Sequence, residues 1–335
     1  MLKAKQRDRD TDYLFLSAML RAREARMLTA DKAQRMIDAP SFDEAAKLAA
    51  ECDYPDMTGM NAAGVEQAMA DRRAEVFAEL ASLCAKKEIV DVFRIKYDYH
   101  NAKVLVKAEG AGADGEHILS SAGRIPPQEL REAYLTDTYT CIPDRLAEAL
   151  TKAKDLLARS GNPQLADFAA DRAYFAELLE LAEALGSDFL LRYVRLLIDT
   201  ANLRAAVRTL RMGKDVDFLR LALISGGGVG TERVAAAASS GDTLAQLYTA
   251  TVLEPAANLA AEAIGGSMTA FEKACDNAVT EFLRGAKIKS FGPEPVIAYI
   301  AALESEITSV RMILTGLLAG INRETLRERL RETYA

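Results

Sequence analysis

The stretch Gly226-Gly-Gly-Val-Gly230 is the part of this sequence that most suggests a reacting site, because glycine lets backbone N–H groups converge on a phosphate or another anion. The residues around it do not complete such a site. No G-x-x-x-x-G-K-S/T is present, no G-x-G-x-x-G follows a strand, and the next residues are Thr231-Glu-Arg rather than Lys-Thr. The run reads as a connector between helices, and no nucleotide or other cofactor is expected. Other chemistries are also poorly supplied. His100 and His117 are the only imidazoles, the second in a glycine-rich loop where solvent should reach it, and no H-E-x-x-H or paired-carboxylate arrangement occurs. Cys52, Cys84, Cys141 and Cys275 stand far apart without a C-x-x-C pair, so no metal site is expected. They read as reduced core thiols, which suits a reducing compartment. The chain is expected to be non-catalytic.

A different set of polar residues is organised. Arg94, Asp98, Asn101, Lys103 and Lys107 recur as Arg195, Asp199, Asn202, Arg204 and Arg208, every position displaced by 101 residues (195 − 94, 199 − 98 and so on). A weaker third copy sets Glu306, Ser309 and Arg311 at the spacing of Asp199, Asn202 and Arg204, displaced by 107 (306 − 199). On a helix, Val90, Phe93, Tyr97, Asn101, Val104 and Ala108 share one face, which places Asn101 in an apolar stripe. Arg94 stands four residues before Asp98, a spacing at which guanidinium and carboxylate can meet, and Arg195 and Asp199 repeat it. Apart from Arg195, Asp199 and Asn202, the second copy reads as largely apolar from Phe189 to Leu210, so its Asp and Asn should be buried and need partners. Two roles fit these residues. They are hydrogen-bonded pins that fix how helices pack, or they are contacts for a partner helix.

The elements that must carry these positions are helical. Strong helix formers fill most windows, tryptophan is absent, and alternating β-branched stretches are nearly missing, so the fold class is all-α. Ser41-Phe-Asp-Glu44 has the form of a capping box, Gly292-Pro-Glu-Pro295 opens a long helix, and Gly110–Gly115 and Gly226–Gly230 are loops. Phe77-Ala-Glu-Leu80 and Phe175-Ala-Glu-Leu178 precede the first two motif copies, and Gly123-Arg-Ile125 with Glu129 echoes Gly228-Val229 with Glu232 after them. A period near one hundred residues divides the 335-residue chain into three helical repeat domains, approximately 1–115, 116–220 and 221–335. If Thr29 to Tyr54 packs beside the C-terminal helix, the chain ends meet and the three can close on themselves.

Composition narrows the function classes. Half the residues are apolar and 27% are charged, which suits packed cores rather than disorder. Net charge is −7 with basic and acidic residues interspersed, so nucleic acid is not an expected partner. The charged start from Met1 to Asp10 does not read as a signal peptide, and the apolar run Met312–Ile321 is shorter than the roughly 20 residues a membrane-spanning helix needs. Membrane contact is therefore expected to be peripheral. The long period also disfavours a helical adaptor of the α-solenoid kind, the alternative reading, whose repeats run to roughly 30–47 residues.

The strings Phe93-Arg-Ile-Lys-Tyr-Asp-Tyr-His-Asn-Ala-Lys103, Asp199-Thr-Ala-Asn-Leu-Arg204 and Pro293 to Arg311 resemble the C subunit of archaeal and bacterial V-type ATPases, related to the d subunit of the eukaryotic vacuolar enzyme. The likeness runs from about Tyr13 to Tyr334. Ser309-Val310 stands where the family often carries Asn followed by Ile or Leu, which predicts a weaker third pin. The resemblance implies three similar helical domains in a pseudo-threefold, funnel-like arrangement. It also implies a non-catalytic central-stalk subunit of a rotary ATPase or ATP synthase that transports protons or sodium ions. Such a subunit would be a torque-transmitting socket between the central shaft subunits and the membrane rotor ring, peripheral at the cytoplasmic face of the membrane.

Overall fold

The computed structural model describes residues 10–335; the charged stretch from Met1 to Arg9 lies outside the described residues. Every regular element among them is helical. In chain order the α-helices are α1 (Leu14–Glu24), α2 (Ala30–Asp38), α3 (Phe42–Ala50), α4 (Ala62–Leu83), α5 (Glu88–Ala111) and α6 (Pro127–Leu135). Then come α7 (Asp144–Ser160), α8 (Pro163–Leu185), α9 (Asp188–Arg211), α10 (Val216–Ala222), α11 (Thr231–Ala237) and α12 (Gly241–Leu247). The chain ends with α13 (Glu254–Ala257), α14 (Ala260–Gly265), α15 (Thr269–Arg284), α16 (Pro293–Leu318) and α17 (Arg323–Arg329). The chain forms two compact units. One joins the described residues through Val90 with Thr280–Ala335, and the other is Asp91–Val279.

Local signals set the helix ends. Ser41 caps α3 by accepting the Glu44 N–H at 3.3 Å, and Asn61, Asn162, Ser187 and Asp215 do the same for α4, α8, α9 and α10. Pro293 opens α16 where its missing N–H is no loss. Gly161 and Gly186 end α7 and α8 in the left-handed conformation that costs other residues most. The loop expected at Gly110–Gly115 begins later, because α5 runs through Ala111 and Gly112 makes the positive-φ exit.

In the first unit α16 is the core element, with Val296, Ile297, Ile300, Ile307, Val310 and Ile313 all sealed. It packs against α1, α2, α3 and α4. The segment Thr29–Tyr54 thus lies beside α16, which gathers α1 to α4 and the C-terminal helices into one core. In the second unit α9 holds the corresponding place, packed by α8, α10, α11 and α14, with Leu190, Val194, Ile198, Leu203 and Val207 sealed. Continuous apolar surface buried on several sides explains why these helices lack a simple amphipathic stripe. The cysteines divide: Cys52 and Cys275 are buried free thiols as expected of core residues, whereas Cys141 is exposed, in the turn before α7.

Candidate functional site

Asp98 and Asn101 lie on α5, both fully buried. Asn101 grips one backbone position with both ends of its amide: its Nδ2 donates to the Ser120 carbonyl at 2.8 Å and its Oδ1 accepts the Ser120 N–H at 2.7 Å. One helical turn back, Asp98 Oδ1 accepts the N–H groups of Arg124 at 2.8 Å and Ile125 at 3.2 Å, while Oδ2 accepts from Arg124 Nε at 2.6 Å. An Asp and an Asn three residues apart therefore hold a loop at two points four residues apart, Ser120 and Arg124. A backbone bound this way cannot slide along the helix without breaking several hydrogen bonds that are buried or partly buried.

The second copy is the same device. Asn202 on α9 donates to the Ile224 carbonyl and accepts the Ile224 N–H, both at 2.8 Å. Asp199 accepts the N–H groups of Gly228 and Val229, both at 2.9 Å. Ile224 and Gly228 are again four residues apart. The glycine-rich run is thus an anion-binding loop after all, but its anion is the chain's own carboxylate. The glycines are required by approach: a Cβ on Gly227 would lie 2.2 Å from Asp199 Oδ1, one on Gly228 would lie 2.9 Å from Oδ2, and one on Gly123 would lie 2.4 Å from Asp98 Oδ1. The geometry also corrects the sequence alignment, since Gly123-Arg124-Ile125 matches Gly227-Gly228-Val229. The loops stand 104 residues apart (228 − 124), so three residues are inserted between motif helix and loop in the second copy.

The third copy keeps the acid and changes the rest. Glu306 on α16 accepts the Leu28 N–H at 2.6 Å and the Tyr54 hydroxyl at 3.0 Å. Ser309, buried at the Asn position, has a side chain too short for the two-pronged amide grip. The longer glutamate meets the segment after α1 instead of a loop following its own helix.

The expected pairing of Arg94 with Asp98 and of Arg195 with Asp199 is not what forms. Arg94 turns to the Gly123 carbonyl, with Nη2 at 2.6 Å, and to Asp91, while Arg195 is exposed and acts on Asp199 through space. The cation on Asp98 is Arg124, from the loop itself, which also reaches Glu177 at 2.9 Å. Glu177 belongs to the repeated Phe-Ala-Glu-Leu string, and its counterpart Glu79 receives both arms of Arg23, at 2.6 and 2.8 Å. The signal for Arg124 was the Gly-Arg-Ile echo, but its ionic role depends on a contact between distant helices. Ser120, Ile224, Leu28 and Tyr54 carried no local signal, since the first three meet the pins only through backbone.

The basic end of each motif points to a different helix. Lys103 pairs with Asp171 on α8 at 2.8 Å, and Arg204 pairs with Glu272 and Asp276 on α15 at 2.7 and 2.5 Å. Both Lys103–Asp171 and Arg204–Glu272 span 68 residues. Arg311 reaches Glu66 on α4 more loosely, at 3.4 Å. In every copy the partner helix is the one that precedes a motif helix in the chain.

Burial decides the electrostatics. It raises the carboxyls of Asp98 and Asp199 above the ordinary aspartate value, against Arg124 and the loop N–H groups in the first case and the loop N–H groups and Arg195 in the second. Burial also pushes Glu306 up to about 7, only partly opposed by Leu28 and Tyr54. It lowers His100, whose Nε2 lies 3.2 Å from the Ile118 carbonyl. Among the described residues no group of three or more His, Cys, Asp or Glu could hold a metal ion.

Side chains consumed in tying loops to helices and helices to one another define a helical scaffold in which the pin motif recurs. The sequence matches the family described as ATP synthase (C/AC39) subunit over residues 16–329, and the chain belongs to that family. It is 24% identical to the C subunit of the V-type sodium ATPase of Enterococcus hirae, over 96% of this chain and 99% of that protein. It is also 24% identical to the C subunit of the A-type ATP synthase of Methanocaldococcus jannaschii, over 95% and 86% of the two chains. The C subunit of the V-type ATP synthase of Thermus thermophilus is 26% identical over 64% of this chain and 72% of that protein. Members of this family are non-catalytic stalk subunits of rotary ATPases. Among the described residues no helix is long and apolar enough to cross a membrane.

Proposed function

We propose that this chain is the central-stalk socket of a V/A-type rotary ATPase, seated at the cytoplasmic face of the membrane between the shaft subunits and the ion-carrying rotor ring. Its three repeats of about one hundred residues, near 1–115, 116–220 and 221–335, are coupled in series, the third back to the first. The observation that carries this reading is the recurrence on α5, α9 and α16 of an acid that accepts a backbone N–H, each followed by a basic residue that pairs with the helix preceding a motif helix. A coupling part must resist shear, and packed helices joined by buried, directional bonds do so better than helices joined only by loops. The pin residues have internal duties, which leaves exposed side chains to meet shaft and ring.

Co-purification tests this assignment. Tagged protein expressed with the other members of the complex should elute with shaft and ring subunits in stoichiometric amount, and its removal should separate the ATP-hydrolysing head from the ring. Elution without either set of partners would overturn the assignment.

A further inference from the structure

The three pins set an acid in three charge environments. Asp98 has a guanidinium in contact. Asp199 has two loop N–H groups and remains half-buried rather than sealed. Glu306 is 7% exposed, accepts one N–H and one O–H, and has no cation within ion-pair distance among the described residues. It is the more deeply buried of the two pin carboxylates that have no cation in contact, and it joins the helix near the C-terminus to two points near the N-terminus.

We propose that Glu306 is a proton-binding latch: protonated, it holds the segment from Leu28 to Tyr54 against α16, and on losing the proton it loosens that contact. The groups facing it come from every side. Lys32 of α2 acts at a distance, its Nζ being engaged by the Arg26 and Met27 carbonyls. Cys52 and Tyr54 follow α3, and burial keeps both in their neutral forms. Arg72 of α4 acts through space, its Nε buried without a hydrogen-bond partner. Tyr299 of α16 and Glu332 and Tyr334 of the C-terminal segment complete the surroundings. Neither Lys32 nor Arg72 makes direct contact with the carboxylate. Tyr54, whose hydroxyl donates to Glu306, also lines an open cleft of about 1130 Å3 with Arg72, Asp53 and Gln67.

The sign follows from burial. Glu306 is pushed up to about 7 from the ordinary glutamate value of 4.5, so the closed latch holds a proton that the opened segment releases between those limits. Closure is therefore favoured toward pH 5 and weakened as pH rises through 7. For a carboxyl with that midpoint, the closing constant falls about tenfold between pH 6 and pH 8.

The test uses the full-length protein labelled with 13C at the glutamate carboxyl, with the Glu306 resonance assigned by its loss in Glu306→Gln. A titration midpoint near 7 is expected, and a midpoint below 5 overturns the proposal even if the variant folds poorly. Hydrogen exchange of residues 28–54, corrected for intrinsic rates, should show about tenfold less protection at pH 8 than at pH 6, and this dependence should vanish in Glu306→Gln. The same dependence retained in Glu306→Gln would also overturn it.

Discussion

Arg124 holds Asp98 twice, with its backbone N–H on Oδ1 at 2.8 Å and its Nε on Oδ2 at 2.6 Å, so one residue supplies both the loop contact and the countercharge for a fully buried acid. Replacing Arg124 with Met keeps the backbone bond and removes the cation. Breaking a buried pair from one side costs roughly 3–5 kcal/mol, and the first pin should fall in or just below that range because Arg124 is itself partly solvated. Urea unfolding should show it. The loss should be smaller at pH 5 than at pH 8, because a neutral carboxyl needs no cation, and Asp98→Asn combined with Arg124→Met should recover part of it.

Gly227, Gly228 and Gly230 share a run but differ in what a methyl group would meet. At Gly227 it would strike Asp199 at 2.2 Å, at Gly228 it would crowd the same carboxylate at 2.9 Å, and at Gly230 it would meet nothing within 4 Å. Gly227→Ala should destabilise by about 2–3 kcal/mol, Gly228→Ala by less, and Gly230→Ala by no more than about 0.5 kcal/mol. Melting temperatures ranked otherwise would contradict the account of the loop as a carboxylate seat.

Asn202 is both donor and acceptor to Ile224, so Asn202→Asp is a sharper probe than its size suggests. The carboxylate keeps the acceptor and sets a second oxygen against the Ile224 carbonyl, which should cost about 2–3 kcal/mol at pH 8. The deficit should shrink on acidification, when a carboxylic acid can donate as the amide did. Chemical denaturation at pH 5 and pH 8 checks both statements.

The basic links should not be equal. Arg204 is about one-quarter exposed and holds two carboxylates, while Arg311 and Glu66 are each about half exposed and 3.4 Å apart. Arg204→Ala is expected to lower stability by about 2 kcal/mol, and Arg311→Ala by less than about 0.5 kcal/mol and only at low salt; thermal melts at two salt concentrations separate them.

Thiol reactivity should follow burial. Burial pushes Cys52 up to about 11 and Cys275 up to about 12, so both should resist a disulfide-exchange reagent at pH 8 until the protein unfolds. Cys141 is exposed and should react first, with Cys84 behind it. Mass spectrometry of timed labelling gives the order.

The sequence by itself determined the helical class, the helix openings at Ser41 and Pro293, the burial of Asn101 and Asn202, and the recurrence of the acid at Asp98, Asp199 and Glu306. These follow from periodicity and from local bonding, which act over a few residues. Which partner each side chain took was decided by tertiary structure. Arg94 and Asp98 are spaced to meet, yet the arginine turns to the Gly123 carbonyl, because the buried acid is already held by Arg124 and two N–H groups from the same loop. The glycine run has the look of an empty anion site or a flexible connector, and only the fold brings Asp199 into it. Glu306 differs from the aspartates by one methylene, but only packing sets it against Leu28 and Tyr54 rather than against a cation. Hydrogen bonds to backbone leave almost no trace in sequence, since nearly every residue offers the same N–H and C=O, so the pins were legible and what they fasten was not.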